Sequence, residues 1–376
     1  MQNKVFELPK KHLRIMHVIL TLGVGGAEQL VYRMATSSSN ENRPVVCCLM
    51  FLGELGEQLK REGGRVYCRN HISGIDFGII SWLKQIIVDE KIDVVHAHTG
   101  TPHFYSVPAA KLVGGVKVIY TEHGRLYPER FNWKLSLVNP LLALGTDHIV
   151  SISKSTALAM NKYDKFPLDR IQIIHNGICL PDINQKIDVL AKRTSLGLSA
   201  SCRVIGTAAR IEEIKNIPMM LLAFQHVLNE IPDTCLLIAG KGSKEKELKS
   251  YAEELGISQK VKFVGLRSDL WEIYQIIEIF LLSSFTEGIS VTLLEAMATG
   301  VPAVVTDVGG NSEVVEDKVT GCLVPLNDDD AMAKCIVELL INKDKSLCYS
   351  NNAKERVANH FSFDGMMKSY EMLYNT

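Results

Sequence analysis

The chain has no surplus of charge of either sign. Its 41 lysines and arginines are matched by 42 acidic residues, for a net charge of −1. The overall basic character that holds a nucleic-acid backbone is therefore missing, and no nucleic-acid partner is expected. None of the nine cysteines forms a Cys-x-x-Cys pair. A zinc ribbon or thioredoxin-type redox centre is not expected, and the thiols read as free in a reducing cytoplasm. No apolar run approaches the roughly 20 residues that span a bilayer. The first apolar run, Ile15 to Leu22, is short and interrupted by His17, and reads as a strand rather than a secretory signal. An acidic residue at the end of the second strand is also absent. Val45 to Met50 runs into Phe51-Leu52-Gly53, where a dinucleotide-binding unit would hold a ribose, so a nicotinamide dehydrogenase is disfavoured.

What is present is a regular alternation of strands and helices. At 376 residues and 47% hydrophobic, the chain is long enough for two domains with sizeable cores. The strand pattern Leu13 to Leu20 leads through Gly23-Val24-Gly25-Gly26 into a helix from Ala27 to Thr36, a turn suited to close approach of a ligand to backbone. Later strands of this half end in polar, histidine-bearing turns: His96-Ala97-His98-Thr99 and Thr121-Glu122-His123-Gly124. The His-x-His spacing suits a metal. However, the two rings are expected on opposite strand faces, and no third ligand is apparent. His123 reads either as a ligand-facing imidazole with His98 near it, or as a satisfied buried histidine. Arg125 to Lys134 mixes basic and aromatic side chains that suit an acceptor, an anionic membrane surface or a plain amphipathic surface.

A linker opens at Pro181, and a second alternating half begins with the strand Arg203 to Ala209. The expected division is 1–185 and 186–359, with the segment from about 360 to 376 packing back on the first domain. Asp328-Asp329-Asp330 reads as a helix-start charge cluster and is assigned no metal.

The densest chemistry lies from Ser283 to Gly310. Glu287 sits in a Ser/Thr/Gly-rich turn after the apolar strand Ile279 to Leu282. Glu295 follows on a helix that Gly300-Val301-Pro302 ends, and the strand Ala303 to Thr306 comes next. This is a βαβ unit whose first turn lies where open α/β sheets place ligands. By themselves, the two carboxylates read equally as helix-start and helix-surface charges. Arg210 and Lys215 follow another strand of the same half, and two cations beside a helix N-terminus suit a pyrophosphate. Carboxylates suit sugar hydroxyls.

Together, Gly23-Val24-Gly25-Gly26-Ala27-Glu28, Thr121-Glu122-His123-Gly124, Asn176-Gly177-Ile178, Arg210 with Lys215, Glu287-Gly288-Ile289-Ser290 and Leu294-Glu295-Ala296-Met297-Ala298-Thr299-Gly300-Val301-Pro302 resemble a retaining glycosyltransferase of family 4. The resemblance implies the GT-B fold, an α/β architecture of two facing Rossmann-like doubly wound domains with the active site in the cleft between them. It implies that Arg210 and Lys215 neutralise a departing diphosphate, that Glu287 contacts the donor sugar and that Glu295 holds the ribose. Gly288 and the backbone of Ile289, Ser290 and Val291 would bind sugar or phosphate. Gly25 and Gly26 would admit the donor to the first domain, His123 would face the sugar, and the base would lie near Gly265 and Leu266. The turn Gly240-Lys241-Gly242 departs from the family pattern in lacking a following proline. No metal or other cofactor is implied. The implied partners are a nucleotide-sugar donor, with UDP favoured, and a glycan or lipid-linked acceptor of envelope or exopolysaccharide assembly. The expected location is cytoplasmic, with peripheral contact at the inner membrane face through the first domain left open. Two alternatives keep the fold: a sugar-nucleotide epimerase or hydrolase, and a non-catalytic partner subunit.

Overall fold

The computed structural model describes residues 13–37, 43–124, 133–180 and 187–376. The basic-aromatic segment from Arg125 to Asn132 and the linker residues Pro181, Asp182 and Asn184 lie outside these. The chain folds into two Rossmann-like domains. The first sheet holds β1 (Ile15–Thr21), β2 (Val45–Phe51), β3 (Val66–Cys68), β4 (Val94–His98), β5 (Lys117–Glu122), β6 (His148–Ser151) and β7 (Ile171–Ile173). The second holds β8 (Arg203–Ala208), β9 (Thr234–Ala239), β10 (Val261–Gly265), β11 (Ile279–Leu282), β12 (Ala303–Thr306) and β13 (Gly321–Val324). The orders are β3-β2-β1-β4-β5-β6-β7 and β10-β9-β8-β11-β12-β13, and the pairs are parallel. Strand order therefore reverses between β1 and β4 in one sheet and between β8 and β11 in the other. The loops leaving each such pair diverge, and a crevice opens at the carboxyl ends of the strands.

Most strand residues are apolar because helices cover both faces of each sheet, with polar side chains entering β1, β4 and β5 of the first. Along β11, Phe280 and Leu282 enter one core while Ile279 and Leu281 enter the core on the opposite face. Along β9, Cys235, Leu237 and Ala239 alternate in the same way with Leu236 and Ile238. Burying a side chain such as Phe280 contributes roughly 1.5–3 kcal/mol, so the period-two pattern fixes the register of the sheet.

The final helix, Phe363–Asn375, places Phe363, Met366, Tyr370 and Tyr374 in a core with Val94, Ile119 and Val150 of the first sheet. The chain returns beside its own linker: Ile178 N–H donates to Phe361 O, and Phe363 N–H donates to Ile178 O, each at 2.9 Å. A Cβ on Gly177 would lie 2.4 Å from Ser362 O. The small residue in Asn176-Gly177-Ile178 thus lets the two interdomain crossings touch.

The reading of His96 and His98 is corrected here. Residues two apart on a strand share a face, because side chains alternate with period two. Their ring centroids are 4.1 Å apart. His17 of β1, which is paired with His96 across the sheet, supplies a third imidazole on that face. The signal was the polar interruption of the first apolar strand.

Candidate active site in the interdomain cleft

In the second domain, the loop after β8 rests on the turn after β9. Ile211 N–H donates to Lys241 O at 2.9 Å, and Gly240 N–H donates to Gly265 O at 2.8 Å. A Cβ on Gly240 or Gly242 would lie 1.9 Å from Ala209 O or 2.1 Å from Ile211 O, so glycine is what allows this contact. Ser243 binds Glu212 through its backbone N–H (2.9 Å) and hydroxyl (2.7 Å). These bonds hold the Glu212 carboxyl below its usual range. Gly265 and the half-exposed Leu266 lie at the rim, at the end of β10.

Across the switch point the two key turns are tied together. Phe285 N–H donates to Ile214 O at 2.9 Å, and Ser283 Oγ donates to Lys215 O (3.0 Å) and Asn216 O (2.9 Å). Lys215 Nζ then reaches Glu287 Oε1 at 2.5 Å, and Ser284 Oγ reaches the same oxygen at 2.5 Å. Both side chains are largely enclosed, Lys215 at 15% and Glu287 at 10% exposure. Glu287 Oε2 makes no hydrogen bond among the described residues, which leaves an acceptor open. Arg210, in contrast, is exposed and forms no ion pair among the described residues. Lys215 and Glu287 are therefore brought together as a pair, while Arg210 stands apart at the rim. Ser284 was not singled out in the sequence; its only signal is its place in the polar turn.

The Glu287 turn is propped from below. Gly310 N–H donates to Glu287 O at 3.0 Å, and a Cβ on Gly310 would lie 1.7 Å from Gly288 O. Beyond Gly288, Ser290 caps the helix Val291–Thr299 by accepting from Leu293 N–H. Ile289 and Ser290 are buried, and the early amides of this helix open toward the turn.

Glu295 is not a solvated helix charge. It is 8% exposed and accepts from Tyr274 OH at 3.2 Å. Burial raises its carboxyl above the usual range, against the opposing effects of Arg33 from the first domain and of the tyrosine bond. A carboxyl raised in the folded state lets the unfolded chain release its proton first. Its contribution to stability therefore falls as pH rises from the ordinary value of 4.5 to the raised one. Glu295→Gln is expected to flatten the fall in Tm across that window, as measured by thermal unfolding against pH.

The first domain closes onto this site. Gly25 caps the helix Gly26–Thr36, and a Cβ on Gly26 would lie 3.4 Å from Val291 Cγ2. A Cβ on Gly288 would meet Ile152 Cδ1 at 2.7 Å and His123 O at 2.9 Å. Gly26, His123, Gly288 and Val291 are thus brought to one seam. Glu122, at the end of β5, accepts from Tyr120 OH at 2.7 Å and from Gly124 N–H at 3.3 Å. At the seam's edge, Glu313 accepts from the N–H groups of Lys154 (3.0 Å) and Ser155 (3.2 Å) and lies 3.0 Å from His175 Nε2. Burial pushes its carboxyl up, but these bonds outweigh that and hold it below the usual range. This link between domains had no sequence signal, since Glu313 lies 159 residues from Lys154.

Behind His123, the imidazoles form a file. His98 Nδ1 lies 2.8 Å from His123 Nε2, and His98 Nε2 lies 2.9 Å from His17 Nδ1. His96 bonds Tyr374 OH (2.9 Å) and Thr121 Oγ1 (2.8 Å). Burial lowers His17 to about 3 and His123 to about 4, and takes His96 and His98 well below the usual range, so all four rings are neutral near pH 7. Farther out, the helix Trp133–Leu144 turns Trp133, Leu137, Leu141 and Leu144 to solvent on one face. No helix among the described residues is long and apolar enough to cross a membrane.

Residues 24–180 match the family described as Glycosyltransferase Family 4, and residues 190–356 match Glycosyl transferases group 1. The chain is 27% identical over 319 residues to the UDP-Gal:alpha-D-GlcNAc-diphosphoundecaprenol alpha-1,3-galactosyltransferase of Escherichia coli, covering 82% of this chain and 81% of that one. It is 30% identical to EpsD of Bacillus subtilis, a protein named as a glycosyltransferase, over 68% of this chain and 70% of that one. The crystal structure of Anabaena Alr3699/HepE with UDP and glucose superposes with a TM-score of 0.85 at 21% identity, covering 96% of this chain and 99% of that one. With the family 4 match falling on the first half and the group 1 match on the second, which carries the Lys215–Glu287 pair and meets the first at the seam of Gly26, His123, Gly288 and Val291, the chain belongs to the group 1, family 4 glycosyltransferases of glycan biosynthesis.

Proposed function

We propose that this glycosyltransferase moves a hexose from a UDP-sugar to a lipid-linked or glycan acceptor of envelope polysaccharide assembly, with net retention and without a divalent metal. The observation that carries this reading is the Lys215–Glu287 pair at the β8/β11 switch point, beside the start of the helix Val291–Thr299. Breaking the anomeric C–O bond releases a diphosphate carrying growing negative charge. Lys215, Arg210 and the amides of the helix start supply positive potential where that charge develops, which stabilises the transition state more than the ground state. Glu287, held by Lys215 and Ser284, keeps Oε2 for a sugar hydroxyl. Glu295 lies one helical segment farther on, suited to the ribose. The Escherichia coli relative is named for a UDP-sugar donor and a diphosphoundecaprenol acceptor, and the Anabaena structure holds UDP and glucose.

A screen of nucleotide sugars, with products assigned by NMR, tests the reading. Transfer from a UDP-sugar with the anomeric configuration preserved, at a rate unchanged by EDTA, is the expected result. An inverted anomer would overturn retention. Free sugar released in the presence of every acceptor would favour a hydrolase, and no turnover of any nucleotide sugar would remove the enzymatic reading.

A lipid-linked acceptor also gives the exposed face of Trp133–Leu144 a use: it would lie on the membrane surface where such an acceptor is presented. Each leucine buried in lipid contributes roughly 1.5–3 kcal/mol. The double variant Leu137→Asp, Leu141→Asp is therefore expected to lower partition onto anionic vesicles by about 100-fold or more. Co-sedimentation measures this, and transfer to a water-soluble acceptor should be unaffected.

A further inference from the structure

We propose that His17, His98 and His123 form one tautomer-coupled unit, in which His17 and His98 are positioning residues that decide whether the outer nitrogen of His123 donates or accepts a hydrogen bond. The ligand at that nitrogen, a donor-sugar hydroxyl, rests on the reading above; the coupling itself does not.

The geometry leaves two arrangements. A neutral imidazole has one N–H and one lone pair, so each contact in the file must pair an N–H with a bare nitrogen. If His17 carries its proton on Nδ1, it donates to His98 Nε2 at 2.9 Å. His98 must then be protonated on Nδ1, and it donates to His123 Nε2 at 2.8 Å. His123 is then also protonated on Nδ1, and that nitrogen is a donor. In the other arrangement all three rings carry the proton on Nε2, the contacts run the opposite way, and His123 Nδ1 is an acceptor. Any mixture sets two N–H groups, or two lone pairs, against each other. The three rings therefore change together or not at all.

His123 Nδ1 is buried and has no hydrogen-bond partner among the described residues. The same residue's backbone abuts Gly288 of the Glu287 turn. The outer end of the file is thus an unsatisfied polar atom at the seam of the site, which a ligand hydroxyl would complete. A hydroxyl can donate or accept, so the arrangement set by His17, two rings away, fixes the role the hydroxyl must take.

A metal held by His17, His96 and His98 fits less well, although one ligand atom from each lies within 4.8 Å of the others. Both nitrogens of His96 and both of His98 are already engaged in hydrogen bonds. Burial without a nearby carboxylate among the file's hydrogen-bond partners keeps the rings neutral, as the coupling requires.

The experiment is a long-range proton–nitrogen NMR correlation on the full chain with ring-labelled histidine, which reports the protonated nitrogen of each neutral imidazole. The expected result at pH 7 is the same tautomer in His17, His98 and His123. Unlike tautomers, an imidazolium in the file, or ring shifts on adding EDTA would each overturn the proposal. His17→Phe removes the inner partner and is expected to give His123 a mixed tautomer. It should lower kcat about 10- to 100-fold, the range seen when a metal-bound histidine loses its outer partner, with the Kd for UDP unchanged. His17→Asn places an amide where Nδ1 stood and should restore both readouts. If His17→Phe lowered Tm alone, leaving the His123 tautomer and kcat as in the unmodified chain, the role would be structural and the proposal would fail. Should His17→Phe not fold, the spectrum of the unmodified chain decides. A like-tautomer file in a protein that transfers no sugar would sink the sugar reading and leave the coupling standing.

Discussion

Lys215→Ala is expected to lower kcat/KM by about 10²- to 10³-fold, the usual cost of removing one donor aimed at developing charge. Two losses combine. The first, on the function proposed above, is a cation at the leaving diphosphate. The second falls on Glu287, which has Lys215 and Ser284 on the same oxygen. Without the ammonium, a carboxylate only 10% exposed would have lost its charge partner. It would then turn away from its present position, because an enclosed charge without a partner is costly. Glu287→Gln should fall into the same range, and the double variant should be no worse than the poorer single one, since the pair acts as a unit. Lys215→Arg keeps the charge but not the single-atom contact, and should recover only part of the loss. Steady-state kinetics on the four variants check this. A Lys215→Ala enzyme within threefold of the unmodified one would remove the pair from the mechanism.

Gly310→Ala is expected to cost about 100-fold in kcat/KM, comparable to a displacement of about 1 Å at a reacting group. The added carbon would stand 1.7 Å from Gly288 O. Backbone opposes backbone there, so no side chain can swing aside. The Gly288–Ile289 peptide has to move, and with it the turn that carries the Glu287 carboxylate and the seam with His123. Strain of this kind should also lower stability by about 1–3 kcal/mol. Gly63→Ala is the control. Gly63 has φ +80° and nothing within 4 Å of the added carbon. Only left-handed strain of roughly 1–2 kcal/mol applies, and kcat/KM should be unchanged. Equal activity loss in the two variants would mean that global destabilisation, not the Glu287 turn, explains the Gly310 result.

These expectations rest on contacts of unequal visibility in the sequence. The two doubly wound domains follow from repeated apolar strands and Gly-stopped helices, which are local patterns. Glu287 and Glu295 were visible as a spaced pair on a turn and a helix for the same reason. The surroundings that give them different chemistry were not. Glu295 is buried against Tyr274, 21 residues away, and beside Arg33 of the other domain. Lys215 was readable as a cation following a strand, but its contact with Glu287 spans 72 residues. Glu313 reaching the first domain, and Gly310 beneath Gly288, had no spacing by which to be found.

The sequence by itself determined the strand–turn–helix order, the Ser283–Gly310 unit and the family, because periodicity, caps and motif spacing act over a few residues. Tertiary structure alone decided which charges meet and which rings line up. Reversal of strand order between β8 and β11 sets Lys215 against Glu287. Pairing of β1, β4 and β5 on one covered face collects His17, His96, His98 and Thr121, with His123 just beyond β5. The physical reason is common to both. A side chain's partners depend on which strands lie side by side, and that is settled by burial of whole sheet faces rather than by the residues next to it in the chain.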